Sequence, residues 1–176
     1  MRPNNRHRTP RFSTAPRIRA GLLTSRNMDY AGVADVEALM AEEGLTPAPI
    51  TAEGRVVERV VGPAHATVTV LPTATAADAA SGALAGIVVP AAAGLSAADG
   101  ETILTDVVAA AREGEIPVMA FGDGVAPTLE AAGFEAPDTP PQAVLLHNGV
   151  LILETPDDVR AALRTFAEAR AARLAA

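Results

Sequence analysis

The sequence predicts a three-layer α/β sandwich: a doubly wound, mostly parallel sheet with helices on both faces. Three observations carry this. The run LAGIVVP, residues 84–90, is nearly continuous apolar sequence of strand length, as a central parallel strand covered on both faces requires. PVMAF, residues 117–121, is a second such run, and it passes through Gly122-Asp123-Gly124 directly into helix-like sequence. Around these two runs, strand-like and helix-like segments alternate along the chain.

Taken in order, RAGLLT (19–24) is a short apolar strand. DYAGVADVEALMAEEG (29–44) spaces Val33, Val36, Leu39 and Met40 as one helix face and ends on a C′ glycine, Gly44. LTPAPIT (45–51) is a strand whose Pro47 and Pro49 suit an edge. Residues 55–73 form a small β excursion, with period-2 character over Thr67–Val70. After the strand at 84–90, Ser96 and Asp99 have capping-box spacing for a helix running to about Arg112, with Gly114 ending it. The strand at 117–121 leads through the turn into a short helix, GVAPTLEAAG (124–133), and PDTPP (137–141) is loop. AVLLHNGVLIL (143–153) reads as a hairpin around His147-Asn148-Gly149, because Asn-Gly favours the positive-φ turn. Thr155 then caps a final helix with Pro156 at N1, acids in its first turn, and Val159, Leu163 and Phe166 as its apolar stripe.

A chain of 176 residues suffices for one well-buried core and is short for two domains. We divide it into a disordered basic tail over residues 1–17 and a single domain over 18–176. With 3% aromatic residues and no Trp, the core must be built from Ala, Val, Leu and Ile, and base-stacking platforms for single-stranded nucleic acid are disfavoured. Residues 1–19 hold six Arg and no acid, so the remainder carries 8 basic against 21 acidic residues, or −13. Such a body repels nucleic acid and acidic membranes, and neither is expected as a partner. The Arg-rich tail lacks the long apolar core of a secretory signal and reads as a solubilising segment, or as a polyanion contact. The chain has no Cys, which excludes disulfides, thiolate catalysis and Cys-ligated metals. A cytoplasmic location is the expectation.

The glycines of the turn read as backbone permissions, one for a strained turn and one for close helix approach. No Ser, Cys or Thr stands in it, leaving Asp123 as the candidate reactive group. Asp123 is open to two readings. It could cap the following helix, where orphan N–H groups and the dipole favour a carboxylate. Alternatively it could serve as a general base, a weak hard-metal ligand or a carboxylate nucleophile, with Asp29 as a second carboxylate beyond a neighbouring strand end. Which of the two holds decides between two functions. A cleft filled by Met28, Tyr30 or Leu95 favours a binding role, and an open pocket with both carboxylates close together favours an enzyme. Ser25, Ser81 and Ser96 are the only serines past the tail; Ser25 would lie at the same rim, with no His placed near it and a structural polar role expected. His7, His65 and His147 are scattered over tail, excursion and hairpin, so no zinc site is expected. His147 is expected to face solvent. Nucleotide-binding motifs are absent, and we expect no cofactor and no metal.

The segments AGLLTSRNMDYAGVADVEALMAEEG, GIVVPAAAG, PVMAFGDGVAPTLEAAG and NGVLILETPDD together resemble the ThiJ/PfpI superfamily, over about residues 18–170. The resemblance implies its class I glutamine amidotransferase-like, flavodoxin-like fold. PVMAFGDGVAPTLEAAG resembles most the C-terminal domain appended to large-subunit catalases, which has a Gly-Asp-Gly-type turn without a nucleophile. Active members of the superfamily carry a Cys on this elbow, often followed by His, and a Glu at the start of the first helix. Those positions fall here on Gly122, Asp123 and Gly32. The loop after the central strand, usually Pro-Gly-Gly, is here Pro90-Ala91-Ala92. The resemblance therefore implies a pseudoenzyme: a non-catalytic structural, interaction or small-molecule-binding domain, with a link to catalase or oxidative-stress defence, and a homodimer. Its elbow and ligand pocket would be formed by Gly122, Asp123, Gly124, Ala91 and Ala92. The alternative is a carboxylate-dependent hydrolase or lyase of a small polar or carbonyl substrate, using Asp123 and Asp29.

Overall fold

A computed structural model describes residues 17–25, 30–61, 66–91 and 100–176. The elements in chain order are β1 (Arg19–Leu23), α1 (Tyr30–Glu42), β2 (Thr46–Ile50), β3 (Val57–Val61), β4 (Ala66–Val70), α2 (Ala76–Ala80) and β5 (Ile87–Val89). They continue with α3 (Gly100–Glu113), β6 (Val118–Phe121), α4 (Val125–Ala131), β7 (Ala143–Leu146), β8 (Val150–Leu153) and α5 (Pro156–Ala175). Six strands form one sheet in the order β2-β1-β5-β6-β7-β8. The first four run parallel, and β7 and β8 add an antiparallel hairpin at one side. The mostly parallel α/β fold expected from the alternation is the fold observed.

Core strands are sealed as their sequence requires. Ile87, Val88 and Val89 of β5 are fully buried, and β5 is flanked by β1 and β6 through Leu22↔Val88 and Val88↔Met119. The packing on the two faces follows from strand alternation. A Cβ on Gly86 would fall 2.6 Å from the Phe166 ring of α5, whereas a Cβ on Gly124 would fall 3.2 Å from Val89 Cγ1. Even-numbered positions of β5 therefore face α5, and odd-numbered positions face α4. Aliphatic residues and alanine dominate the core, and Phe166 is the only aromatic residue among the buried ones described.

The edge strand β2 explains its two prolines. Thr46 N–H donates to Ile18 C=O (2.7 Å), and Ile50 C=O accepts from Thr24 N–H (2.8 Å). Residues 46, 48 and 50 thus bond to β1, while Pro47 and Pro49 turn outward, where a missing N–H costs no ladder bond. The Pro49 carbonyl, on that outer side, accepts from the backbone N–H groups of Thr73 and Ala74.

One expectation is corrected and one element is added. First, the central strand is Ile87–Val89 rather than 84–90; Leu84 and Ala85 are buried ahead of it, with Ala85 N–H donating to Arg19 C=O of β1 (2.8 Å). Second, the short helix α2 between the β excursion and β5 was not expected. It is held by a capping box in which Asp78 N–H donates to Thr75 Oγ1 (3.3 Å) and Thr75 N–H to Asp78 Oδ2 (2.8 Å). The expected β excursion is present as a separate two-stranded sheet, β3 and β4, outside the main one. The capping residues Ser96 and Asp99 lie outside the described residues, as does the tail except for Arg17. No helix among the described residues is long and apolar enough to cross a membrane.

Helix α5 opens with the expected cap. Thr155 and Asp158 form a reciprocal capping box, with Pro156 at the first helical position. The Thr155 hydroxyl and backbone N–H both donate to the Asp158 carboxylate and hold its pKa below the ordinary carboxylate value. Arg160 pairs with Glu42 (2.6 Å), and Arg164 with Glu43 (2.9 Å), tying α5 to the end of α1. The Glu42 carboxylate, through this bond and its charge, raises the Arg160 pKa.

Candidate functional site

The elbow is built by the end of β6, a single 3₁₀ turn over Gly122–Gly124, and α4. Gly122 has φ of +49°, a left-handed conformation that glycine adopts without the steric cost a Cβ would bring. Its N–H donates to Gln142 C=O (2.9 Å), which ties the elbow to the entry of β7 and spends a donor that an oxyanion would need. Gly124 has the second expected role. A Cβ there would lie 2.9 Å from Pro90 O, so only glycine lets α4 start this close to the end of β5. Thr128, fully buried, donates its hydroxyl to Gly124 C=O (2.7 Å) and fixes the first turn of α4.

The loop after β5 closes over the elbow. A Cβ placed on Gly122 would lie 3.0 Å from the Cβ of Ala91, tighter than the 3.5–4.0 Å or so at which carbon atoms attract best. The elbow therefore lacks a reactive side chain, and the Ala91 methyl crowds the position from which one would project.

Asp123 is exposed and stands in the 3₁₀ turn. The N-cap position of α4 belongs to Gly124, and no side-chain cap bond is made there. Asp123 lies within the opening turn ahead of α4, where the dipole favours a carboxylate. Asp29, Ala92, Met28 and Leu95 lie outside the described residues, as does the side chain of Tyr30, so the separation of the two carboxylates is not defined. Gly32, the position the resemblance gives to a glutamate, falls in the first turn of α1.

The remaining candidates have local structural surroundings. Ser25 follows the end of β1 and is half-buried beside the buried Thr24. Ser81 donates to Asp78 C=O (3.1 Å) at the end of α2. His147 is exposed in the hairpin loop, and its N–H donates to Gly149 C=O (3.1 Å), with Asn148 at φ of +58°. His7 and His65 are outside the described residues. Among the described residues no group of three or more His, Asp or Glu is arranged to hold a metal ion.

With the sheet order and elbow defined, comparison with known proteins is informative at the level of fold. No family model and no curated protein matches the sequence. Among solved structures, a DJ-1 superfamily protein from Agrobacterium tumefaciens is similar, at 18% identity over 90% of this chain and 97% of that one, with a TM-score of 0.53. The chain has the DJ-1/ThiJ/PfpI fold. Drosophila melanogaster DJ-1beta (14% identity, 89% and 90% covered, TM-score 0.51) and a ThiJ/PfpI family protein from Pseudomonas syringae (16%, 99% and 81%, TM-score 0.50) share it. On this fold, the chain places glycine at its elbow and alanine opposite.

One feature of the fold was missed in the sequence. A groove of about 520 Å³ runs between α5 and the β7–β8 hairpin, lined by Leu145, Leu151, Ile152 and Phe166 and ending on Arg170 and Arg173. Its signal was VLIL at 150–153, a strand with no polar residue to turn toward water.

Proposed function

We propose that this chain is a non-catalytic domain with the DJ-1/ThiJ/PfpI fold, acting in the cytoplasm by binding a protein or a small molecule. The observation that carries this reading is the elbow itself. Gly122 offers no nucleophile, and the Ala91 methyl stands 3.0 Å from where its Cβ would be. Nucleophilic catalysis needs an activatable side chain with a base in reach, and Gly122 supplies no such side chain. The resemblance to the catalase-appended domain supports catalase as the first protein partner to test, and oxidative-stress defence as the setting.

The test is direct. Purified protein is incubated with small dicarbonyls, activated esters and short peptides, alongside an Asp123→Asn variant. The expected result is no consumption above the buffer rate for either protein. Saturable turnover by the native chain that falls at least tenfold in Asp123→Asn would overturn the reading in favour of carboxylate-based hydrolysis or elimination. Affinity capture with catalase as bait addresses the partner, and saturable retention of the chain supports the interaction role.

A further inference from the structure

We propose that the groove between α5 and the β7–β8 hairpin binds a saturated monocarboxylate of medium chain length, its carboxylate on Arg170 and Arg173 and its chain along Phe166, Leu145 and Leu151. None of Ala91, Gly122, Asp123 and Gly124 lines this groove, so the site stands whether or not the elbow is inert.

Strand register explains why the groove exists. Val88 pairs with Met119, Met119 with Leu145 and Leu145 with Leu151, so the four side chains form one row on the face that α5 covers. Val88 and Met119 are fully buried, Leu145 is half-buried and Leu151 is 57% exposed. The cover thus ends partway along the row. Beyond it, the aliphatic wall of the hairpin and the flank of α5 at Ala161, Ala162 and Phe166 enclose about 520 Å³. Small-molecule sites ordinarily span about 300–1,000 Å³. With walls this apolar, a hydrocarbon chain gains by removing carbon surface from water on both sides.

Charge decides the headgroup. Arg170 donates to Gly82 C=O (2.9 Å) and Arg173 to Glu115 C=O (3.4 Å), and neither pairs with a carboxylate among the described residues. A guanidinium carries several N–H donors in a planar fork that matches a carboxylate. The carbonyl contacts therefore place both heads and leave donors over for an anion. Arg173, in the last turn of α5, also offsets the negative end of that helix. The opposite end of the groove carries Glu154 and Asp158, which repel a second carboxylate and disfavour a dicarboxylic acid. It is a weaker anchor for an ammonium group. Asp158 already accepts from the Thr155 hydroxyl and N–H, and both carboxylates stand in solvent.

Helix rise sets the chain length. From Arg170 back to Ala162 the axis of α5 covers about 12 Å, and back to Asp158 about 18 Å. A C–C bond of about 1.5 Å advances an extended chain by about 1.3 Å, so about nine carbons reach the first point and about fourteen the second. A chain of about ten carbons therefore fills the apolar part and stops short of the acidic end.

Titration calorimetry of the full chain with decanoate, kept below its micellar range, tests the site. One decanoate should bind per chain. From hexanoate to decanoate each added methylene should tighten binding about two- to fourfold, the upper figure corresponding to about 0.8 kcal/mol for full burial. The gain should stop by about fourteen carbons, where the chain meets Glu154 and Asp158. Decylammonium and decanedioate should bind roughly tenfold more weakly than decanoate, or worse. Arg170→Gln and Arg173→Gln should each weaken decanoate by roughly tenfold. Thr165→Phe, at an exposed lining position in the middle of the groove, should do the same by filling it, and a thermal melt of each variant confirms that it folds. Absence of saturable decanoate binding up to about 5 mM would overturn the proposal. So would equal affinity for decylammonium, affinity that keeps rising past the acidic end as in surfactant adsorption, or unchanged affinity in the folded Arg173→Gln and Thr165→Phe variants.

Discussion

Replacing Gly122 by alanine, with and without Ala91→Gly, isolates the contact that closes the elbow. Alanine at φ of +49° costs about 1–2 kcal/mol from backbone sterics alone. Its methyl would also stand 3.0 Å from Ala91 Cβ, and relieving that overlap requires a shift of a few tenths of an ångström. We assign this about 1 kcal/mol, the low end for overpacking, because Ala91 sits in a loop rather than a strand. Gly122→Ala should therefore cost about 2–3 kcal/mol in the native background and about 1–2 kcal/mol when Ala91 is glycine, the sum of these terms. The coupling is thus about 1 kcal/mol. Urea unfolding of the four proteins measures it: at an m-value of about 1–3 kcal/mol/M, 1 kcal/mol moves the midpoint by about 0.3–1 M. If Gly122→Ala costs the same in both backgrounds to within about 0.3–0.5 kcal/mol, the usual additivity of uncoupled sites, Ala91 does not crowd the elbow and the reasoning fails.

Three further outcomes are expected. Gly124→Ala meets a backbone oxygen, Pro90 O at 2.9 Å, which moves less readily than a side chain, so it should cost about 2–3 kcal/mol of unfolding free energy without any φ penalty. Thr155→Ala removes the cap of α5 and should cost about 1 kcal/mol, with amide exchange of the first turn of α5 accelerated. The lowered pKa of Asp158 means the folded state favours its charged form. That stability is present above the unfolded value of 3.8 and is lost as pH falls through the lower folded value. Asp158→Asn should flatten the acid limb of a stability profile in that window and leave the neutral region parallel.

The fold was legible because its signals are local. A continuous aliphatic run marked β5, the prolines of β2 fell at outward positions of an edge, and Val159, Leu163 and Phe166 marked the buried stripe of α5. Helix α2 was missed although Thr75 and Asp78 carry the capping-box spacing, because five alanine-rich residues give no apolar periodicity to flank it. VLIL was misleading in the opposite way: aliphatic sequence looks the same in a covered strand and at an uncovered edge, and neighbours along the chain do not say which. For the candidate site, glycine at 122 and the glycine roles on either side of Asp123 could be read directly. The approach of Ala91 could not, since it depends on the parallel register of β5 and β6, which brings together residues far apart in sequence.

Gly122 and Ala91 acquire their meaning as a pair. Had the elbow merely lost a side chain while the facing loop kept a glycine, a space of about methyl size would remain, and such cavities cost stability unless something fills them. Here the facing residue is alanine, and its methyl occupies the near side of that space. The corner is thus packed without a ligand, and the Gly122 N–H is satisfied by Gln142 within the chain. A site that depended on substrate would leave groups of this kind waiting for it. Exposed aliphatic side chains lie elsewhere among the described residues, on β8 beside the α5 groove, whose far end carries the Arg170 and Arg173 guanidinium groups. Binding should therefore be sensitive to substitutions at Leu151 and Arg170 and indifferent to Asp123→Asn, a separation that one binding assay on three variants can establish or refute.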